Sequence, residues 1–278
     1  MKGSPVIDIH HHIGVKPGLS YLGSQLVDAM DRGGIDVTVV MHFVSTLHKP
    51  DDFARANALV ANEVERHPGR LVGAVVVDVL DTDRALDALA GYHAVGFRAV
   101  KLHPVFHGYY RIDGGAVDPV AELAGSLGMP VAIHCDFAHA GCSPYAVAAL
   151  AVRHPQTTFI LLHLGLQPEL CATTPTIVRD VPNVILDTSQ TPDAPDIVFA
   201  RPIREVGADR VVLGSDGPEF DVVLNLRKLE LAVSQHGVGE EHAALVRGMN
   251  AARLLRLSSA EPAAAMTAPS RAPESRTA

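Results

Sequence analysis

The stretch VIDIHHHI, residues 6–13, sets an isoleucine-rich apolar run directly against three consecutive histidines, His10, His11 and His12. As a strand it alternates its faces, which puts His10 and His12 on one side and His11 on the other. Three readings compete: a remnant of an affinity tag, a histidine patch of no consequence, or the first part of a metal site. A tag sits in a flexible terminus. These histidines are embedded in a strand pattern, with Asp8 two residues before His10.

Seven further apolar runs follow: DVTVVMHF (36–43), LVGAVVVD (71–78), FRAVKLHP (97–104), PVAIHCD (130–136), TFILLHLG (158–165), NVILDTS (183–189) and RVVLGSD (210–216). Their near-continuous apolar character is that of parallel strands covered on both faces. Stretches 19–32, 52–66, 82–92, 117–127, 144–154, 197–206 and 221–235 carry apolar residues at helical spacing, with Gly and Pro at the junctions. Eight strands alternating with helices predict an α/β fold, a single-domain (β/α)8 TIM barrel over residues 1–257. A doubly wound sheet is the alternative. It would carry a glycine-rich turn after the first strand, and the run 10–14 is no such turn. From 258 to 278 the composition shifts to Ala, Pro and Ser without periodicity, and this tail is expected to be disordered.

The 278 residues, 47% hydrophobic and 19% charged, are enough for a substantial core. A net charge of -8 provides no basic footprint, which excludes a nucleic-acid surface. No run approaches the roughly 20 apolar residues of a membrane helix. The first residues lack the pattern of a signal peptide. Three cysteines at no zinc-finger spacing read as small core residues. The expectation is a soluble, cytoplasmic protein with a small-molecule substrate, no nucleic-acid partner and no membrane partner.

In such a barrel chemistry sits at the carboxyl ends of the strands. Strand one ends in His10 and His12, strand four in Lys101 and His103, strand five in His134, strand six in His163 and strand eight in Asp216. Each alone has a bland explanation, as a hydrogen-bonded histidine, a snorkelling lysine or a capping aspartate. Five strand ends that all open onto one face do not. Two imidazoles from one strand can chelate one divalent cation, and imidazole with carboxylate suits Zn2+, then Mn2+ or Fe2+. Asp187 and Ser189 on strand seven are placed to support the ligands by hydrogen bonds.

These residues resemble the amidohydrolase superfamily, in the branch of amidohydrolase-related and aminocarboxymuconate-semialdehyde decarboxylase-like enzymes. The resemblance runs from Val6 to Leu257 through IDIHHH, GFRAVKLHP, PVAIHCD, LLHLG, PNVILDTS, VVLGSDGP and a closing MNAARLL. It implies one divalent metal on His10, His12, His134 and Asp216, with His163 beside a metal-bound water as base or polarising group. Lys101 stands where two-metal relatives place a carbamylated lysine. That leaves two metals bridged by Lys101 as the less favoured count. Many relatives form dimers, so a homodimer is one expectation. The activity implied is metal-assisted hydrolysis of an amide, lactone or ester, with Asp216 managing the proton. Non-oxidative decarboxylation at the same site is the alternative, and an idle metal-binding scaffold the weakest reading. His103, Arg98, Arg111 and Tyr109 are candidate substrate contacts. The absence of tryptophan points to a small or polar substrate.

Overall fold

A computed structural model describes residues 4–47, 49–136 and 140–257. The Ala/Pro/Ser-rich tail lies outside the described residues. Among the described residues nine strands are present: β1 (Ile7–Lys16), β2 (Leu19–Tyr21), β3 (Val37–His42), β4 (Leu71–Val76), β5 (Ala99–Leu102), β6 (Val131–Ile133), β7 (Phe159–Leu161), β8 (Val184–Asp187) and β9 (Val211–Val212). They pair in the order β2-β1-β3-β4-β5-β6-β7-β8-β9, parallel throughout except for the β1–β2 hairpin. The helices are α1 (Gly23–Gly33), α2 (Pro50–Arg66), α3 (Thr82–Ala94), α4 (Asp118–Leu127), α5 (Pro144–Arg153), α6 (Pro168–Ile177), α7 (Arg201–Val206), α8 (Val222–Gln235), α9 (Glu240–Ala244) and α10 (Asn250–Leu254).

The result is an α/β fold built on a curled, mostly parallel sheet, with nine strands where eight were expected. The additional strand is β2. Lys16 pairs with Leu19 across Pro17-Gly18, and Gly18 takes φ 78, the geometry of a turn with Pro then Gly at its centre. The helix expected from residue 19 therefore starts at Gly23, where the Gln25 side chain accepts the Leu22 N–H at 2.9 Å. Helix α6 escaped the periodicity reading because Pro168, Pro175 and a Thr-Thr pair blur its pattern.

No strand ladder joins β1 to β9. Their ends meet instead through a short seam: Ile9 N–H donates to Leu213 O (3.0 Å), Asp216 N–H to His10 O (2.8 Å) and His12 N–H to Gly217 O (2.8 Å). Asp8 fastens this seam by accepting from Ser215 N (2.9 Å) and from Ser215 Oγ (2.6 Å).

Apolar residues pack on both sides of the curl. Val40, Val75, Val100, Val131 and Leu161 face the helices, while Val39, Met41, Ala74, Val76, Ala132 and Ile160 fill the inside. The alternation along β3 and β4 follows the pleat. Inside the curl this apolar floor is where the polar strand ends begin.

Candidate active site

β1 carries an irregularity that decides its chemistry. Asp8 pairs with Thr38 but His11 pairs with Val40, so one additional residue lies between them. Such a bulge re-aims the side chains that follow it. Ile7 and Ile9 belong to the inner apolar floor before it. After it, His10 and His12 turn into the same interior, and both are buried. His11, on the side opposite His10 and His12 as strand alternation predicts, packs against the seam, with Nδ1 3.1 Å from Ser215 Oγ and its ring stacked on Tyr21. A Cβ at residue 217 would overlap the His11 ring, so glycine is required there.

The seam also presents Asp216. Its backbone adopts φ 65, a left-handed conformation that Asp tolerates better than most residues. Asp216 Oδ1 lies 3.1 Å from His12 Nε2 and 3.3 Å from His10 Nε2, and those two nitrogens are 3.2 Å apart. Hydrogen-bond partners on the far side of each ring settle what the near atoms are. His12 Nδ1 is 3.1 Å from His42 O, which can only accept, so His12 carries its proton on Nδ1. Its Nε2 lone pair therefore faces Asp216 and His10. With both imidazoles neutral, acceptors meet acceptors here beside the Lys101 ammonium, 3.0 Å from His10 Nε2, and a cation between them would relieve the crowding. His10, His12 and Asp216 together form a metal-binding site of type His/His/Asp.

His134 and His163 extend this centre. His134 follows β6 directly, and its Nε2 donates to Asp136 Oδ2 at 2.9 Å, leaving Nδ1 as the acceptor face. That face lies 3.1 Å from His163 Nε2. His163 does not sit on a strand as expected. It lies in the turn Leu162–Gly165 with φ 63, followed by Leu164 at φ 50. Two successive non-glycine residues in the left-handed region are costly and persist only where surrounding structure enforces them. His103 lies flat on His134, ring centroids 4.0 Å apart and planes at 12°.

Burial sets the charge state. It pushes the imidazoles of His10, His103 and His163 well below their ordinary value of 6.5, and His134 down as well. Burial lowers Lys101 to about 8, against the pull of Asp216 and Asp187. Its Nζ reaches His10 Nε2 at 3.0 Å. For Asp216 burial works upward, but His10, His12 and His163 outweigh it and hold the carboxyl well below the usual range. The interior thus presents neutral imidazoles, one firm carboxylate and one weakened ammonium.

A second group of possible ligands, His10, His163 and Asp187, also clusters within reach of one ion. Here the centre is already filled. Ser189 Oγ lies 3.1 Å from His10 Nδ1 and 3.0 Å from His163 Nδ1, and donates to Asp187 Oδ2. The hydroxyl takes the place a cation would need at this group, and Lys101 Nζ lies 3.0 Å from His10 Nε2.

A cavity of about 380 Å3 opens over the centre, lined by His12, Lys101, His103, His134, Asp136, His163 and Asp216, with Phe43, Phe106 and Phe220 toward the mouth. Lys16 and Glu219 pair on its rim, and the Lys16 ammonium lies over the Phe43 ring. Of the four expected substrate contacts only His103 lines it. Arg98 precedes β5, at the amino end of the strand and away from the cavity, and bonds Phe97 O. Arg111 is exposed and pairs with Asp113 at 2.7 Å, and Tyr109 points to solvent. Asp136, Phe43, Phe220 and the Lys16–Glu219 pair were not foreseen. Only Asp136 left a signal in the sequence, its i+2 spacing from His134.

The model of the amidohydrolase family matches residues 7–257. The chain belongs to this family. Among solved structures, this amidohydrolase is similar to 5-carboxyvanillate decarboxylase from Sphingomonas paucimobilis, at 16% identity over 92% of this chain and 100% of that one, with a TM-score of 0.75. It is also similar to a dihydroxybenzoic acid decarboxylase from Polaromonas sp. JS666 with bound manganese and 2-nitroresorcinol, at 16% identity, 91% and 97% coverage and a TM-score of 0.75. A probable 2-pyrone-4,6-dicarboxylic acid hydrolase from Acinetobacter baumannii shares the fold at 15% identity, 91% and 99% coverage and a TM-score of 0.68. At such identities the likeness speaks for the fold alone. No curated protein matches the chain significantly.

Proposed function

We propose that this chain is a metal-dependent hydrolase that cleaves an ester, lactone or amide of a small molecule, on a barrel closed through the Asp8–Ser215 seam. The observation that carries the reading is the crowding of His12 Nε2, His10 Nε2 and Asp216 Oδ1 within 3.3 Å of one another, with His12 Nδ1 already committed to His42 O on the far side of its ring. His10, His12 and Asp216 would hold a divalent cation, with His134 as the fourth ligand that the family resemblance implies, and the cation would supply Lewis acidity and lower the pKa of a water. The nitrogen-rich donor set suits Zn2+, and Mn2+ is the competing choice, with Fe2+ behind it.

The chain's own groups divide the remaining work. Asp216 is ionised and can take a proton from the attacking water and return it to the leaving group. His163 Nε2, 3.1 Å from His134 Nδ1, is placed to hold the water or a substrate oxygen. Lys101 Nζ is the cationic donor that can reach an oxygen gathering negative charge, and its weakened ammonium gives up a proton readily. His103 walls the site against His134. The phenylalanines at the mouth suit an apolar body behind the reacting carbonyl, which shifts the expected substrate from polar toward partly apolar. Three free, buried cysteines accord with a reducing compartment such as the cytoplasm, and no described helix is long and apolar enough to cross a membrane.

Decarboxylation is the second reading, favoured by the several decarboxylases among the similar structures and by Lys101 as an inward proton donor. One experiment separates the two. Purified protein is analysed for metal per chain, then reconstituted and offered aryl esters, lactones and hydroxybenzoates in 18O water. About one metal per chain and 18O in the acid product support hydrolysis. CO2 release without 18O incorporation replaces it with the lyase, and protein that takes up no divalent metal defeats both.

A further inference from the structure

The hydroxyl of Ser189 is fully buried and touches three polar atoms: His10 Nδ1 at 3.1 Å, His163 Nδ1 at 3.0 Å and Asp187 Oδ2. A hydroxyl has one proton to give and two lone pairs to receive with. Asp187 acts as an acceptor at every other contact, its Oδ1 taking Ser189 N–H and its Oδ2 taking His163 N–H, both at 3.2 Å. The serine proton therefore goes to Asp187, and both imidazoles must donate from Nδ1. We propose that Ser189 is a positioning residue that locks His10 and His163 together in the Nδ1–H tautomer, so that His10 Nε2 is left to accept beside Lys101 Nζ at 3.0 Å and His163 Nε2 faces the His134 Nδ1 acceptor at 3.1 Å with no hydrogen between them.

The surroundings are built to keep this hub in place. Two backbone N–H groups aim the Asp187 carboxylate, and a Cβ at Gly214 would overlap its Oδ1. The His10 and His163 rings tilt toward each other at 5.2 Å, so their Nδ1 edges converge on one oxygen. Without that oxygen, His10 Nδ1 is left 3.7 Å from Asp187, beyond a sound hydrogen bond. Moving the proton to Nε2 would then give His10 a good acceptor in Asp216 at 3.3 Å. That shift would cap the very lone pair a metal needs. One hydroxyl thus governs two imidazoles that come from opposite parts of the chain. The consequence for metal binding rests on the metal-centre reading above; the tautomers themselves do not.

The test uses 15N-histidine-labelled, metal-free protein, in which long-range proton–nitrogen spectra distinguish the two tautomers of each ring. His10→Gln and His163→Gln variants identify the signals. The wild type should show both rings as Nδ1–H. Ser189→Ala should move at least one ring to Nε2–H or to a mixture, and Mn2+ and Zn2+ affinity should fall about 10–100-fold. Ser189→Thr, which keeps the hydroxyl, should restore both. An Nε2–H form of either ring in the wild type overturns the proposal, whether or not the alanine variant folds. So does an alanine variant with unchanged tautomers and unchanged affinity, or a threonine variant as impaired as alanine. If the tautomers behave as stated but the wild type binds no metal, the positioning role stands and the hydrolase reading fails.

Discussion

Two groups of two histidines and one carboxylate lie side by side in this molecule, sharing His10. In one, His10 and His163 meet Asp187 with the Ser189 hydroxyl at their centre. In the other, His10 and His12 meet Asp216 through Nε2 atoms, and His12 is left without a proton on that nitrogen. Residue types and spacing are alike, yet the first group is a hydrogen-bond hub and the second is a cation site. The difference lies in which atoms carry hydrogen. Ligand identity nominates a metal site; the proton inventory on the far side of each ring selects between candidates.

The contrast can be broken most directly at Asp216. Asp216→Asn should reduce metal affinity by more than about 100-fold, beyond the roughly 10–100-fold range of outer-sphere partners, while Asp187→Asn should leave one metal per chain. Equal metal loss in both variants, read by elemental analysis, would erase the distinction. Next in size is Asp136→Asn, which replaces the acceptor that fixes His134 and should weaken metal binding about 10–100-fold. An unchanged affinity would remove His134 from the ligand set.

Gly214→Ala tests the hub alone. The new methyl would overlap Asp187 Oδ1, and overpacking of this kind costs about 1–3 kcal/mol. A lowered Tm in metal-free protein is the expected outcome. Acid offers a graded version of the same comparison. Folded His10, His103 and His163 have pKa values well below 6.5, so near and below that pH the unfolded chain binds more protons than the folded one. Stability of the metal-free protein should therefore be full above about pH 7 and fall as pH drops through 6.5. A Tm that is flat from pH 7.5 to 5.5 would contradict this. The smallest effect belongs to Arg111→Ala, which removes an exposed pair outside the cavity. Turnover should change less than about 2-fold, with stability within about 0.5 kcal/mol.

Much of this centre could be read from strand ends. His10, His12, Lys101, His103, His134, His163 and Asp216 all lie at the carboxyl side of apolar runs, and the curl of the sheet brings them to one interior. What could not be read was parity and direction. Alternation pairs His10 with His12 correctly, but it would leave Ile9 and His10 on opposite faces; the bulge after Asp8 turns the histidines inward, and no residue type announces it. Arg98 reads as a pocket residue because it and Arg111 flank the KLHP region, where they could receive a substrate carboxylate. The observed β5 is only Ala99–Leu102, which leaves Arg98 at the wrong end. Asp136 was visible two residues from His134, yet its use as an acceptor for Nε2 depends on a ring orientation that spacing does not contain. His163 was expected on a strand and lies in a left-handed turn, where tertiary contacts override local preference.

The seam that brings Asp216 to His10 is stitched by contacts between residues 205 and 207 positions apart. During synthesis the paired imidazoles of β1 are made before their carboxylate partner, which lies about 200 residues further along the chain. Until then a passing cation meets a two-pronged claw with no anionic jaw. Loading the centre therefore waits on the seam through Ser215, and a truncated product ending before residue 215 should be born without it.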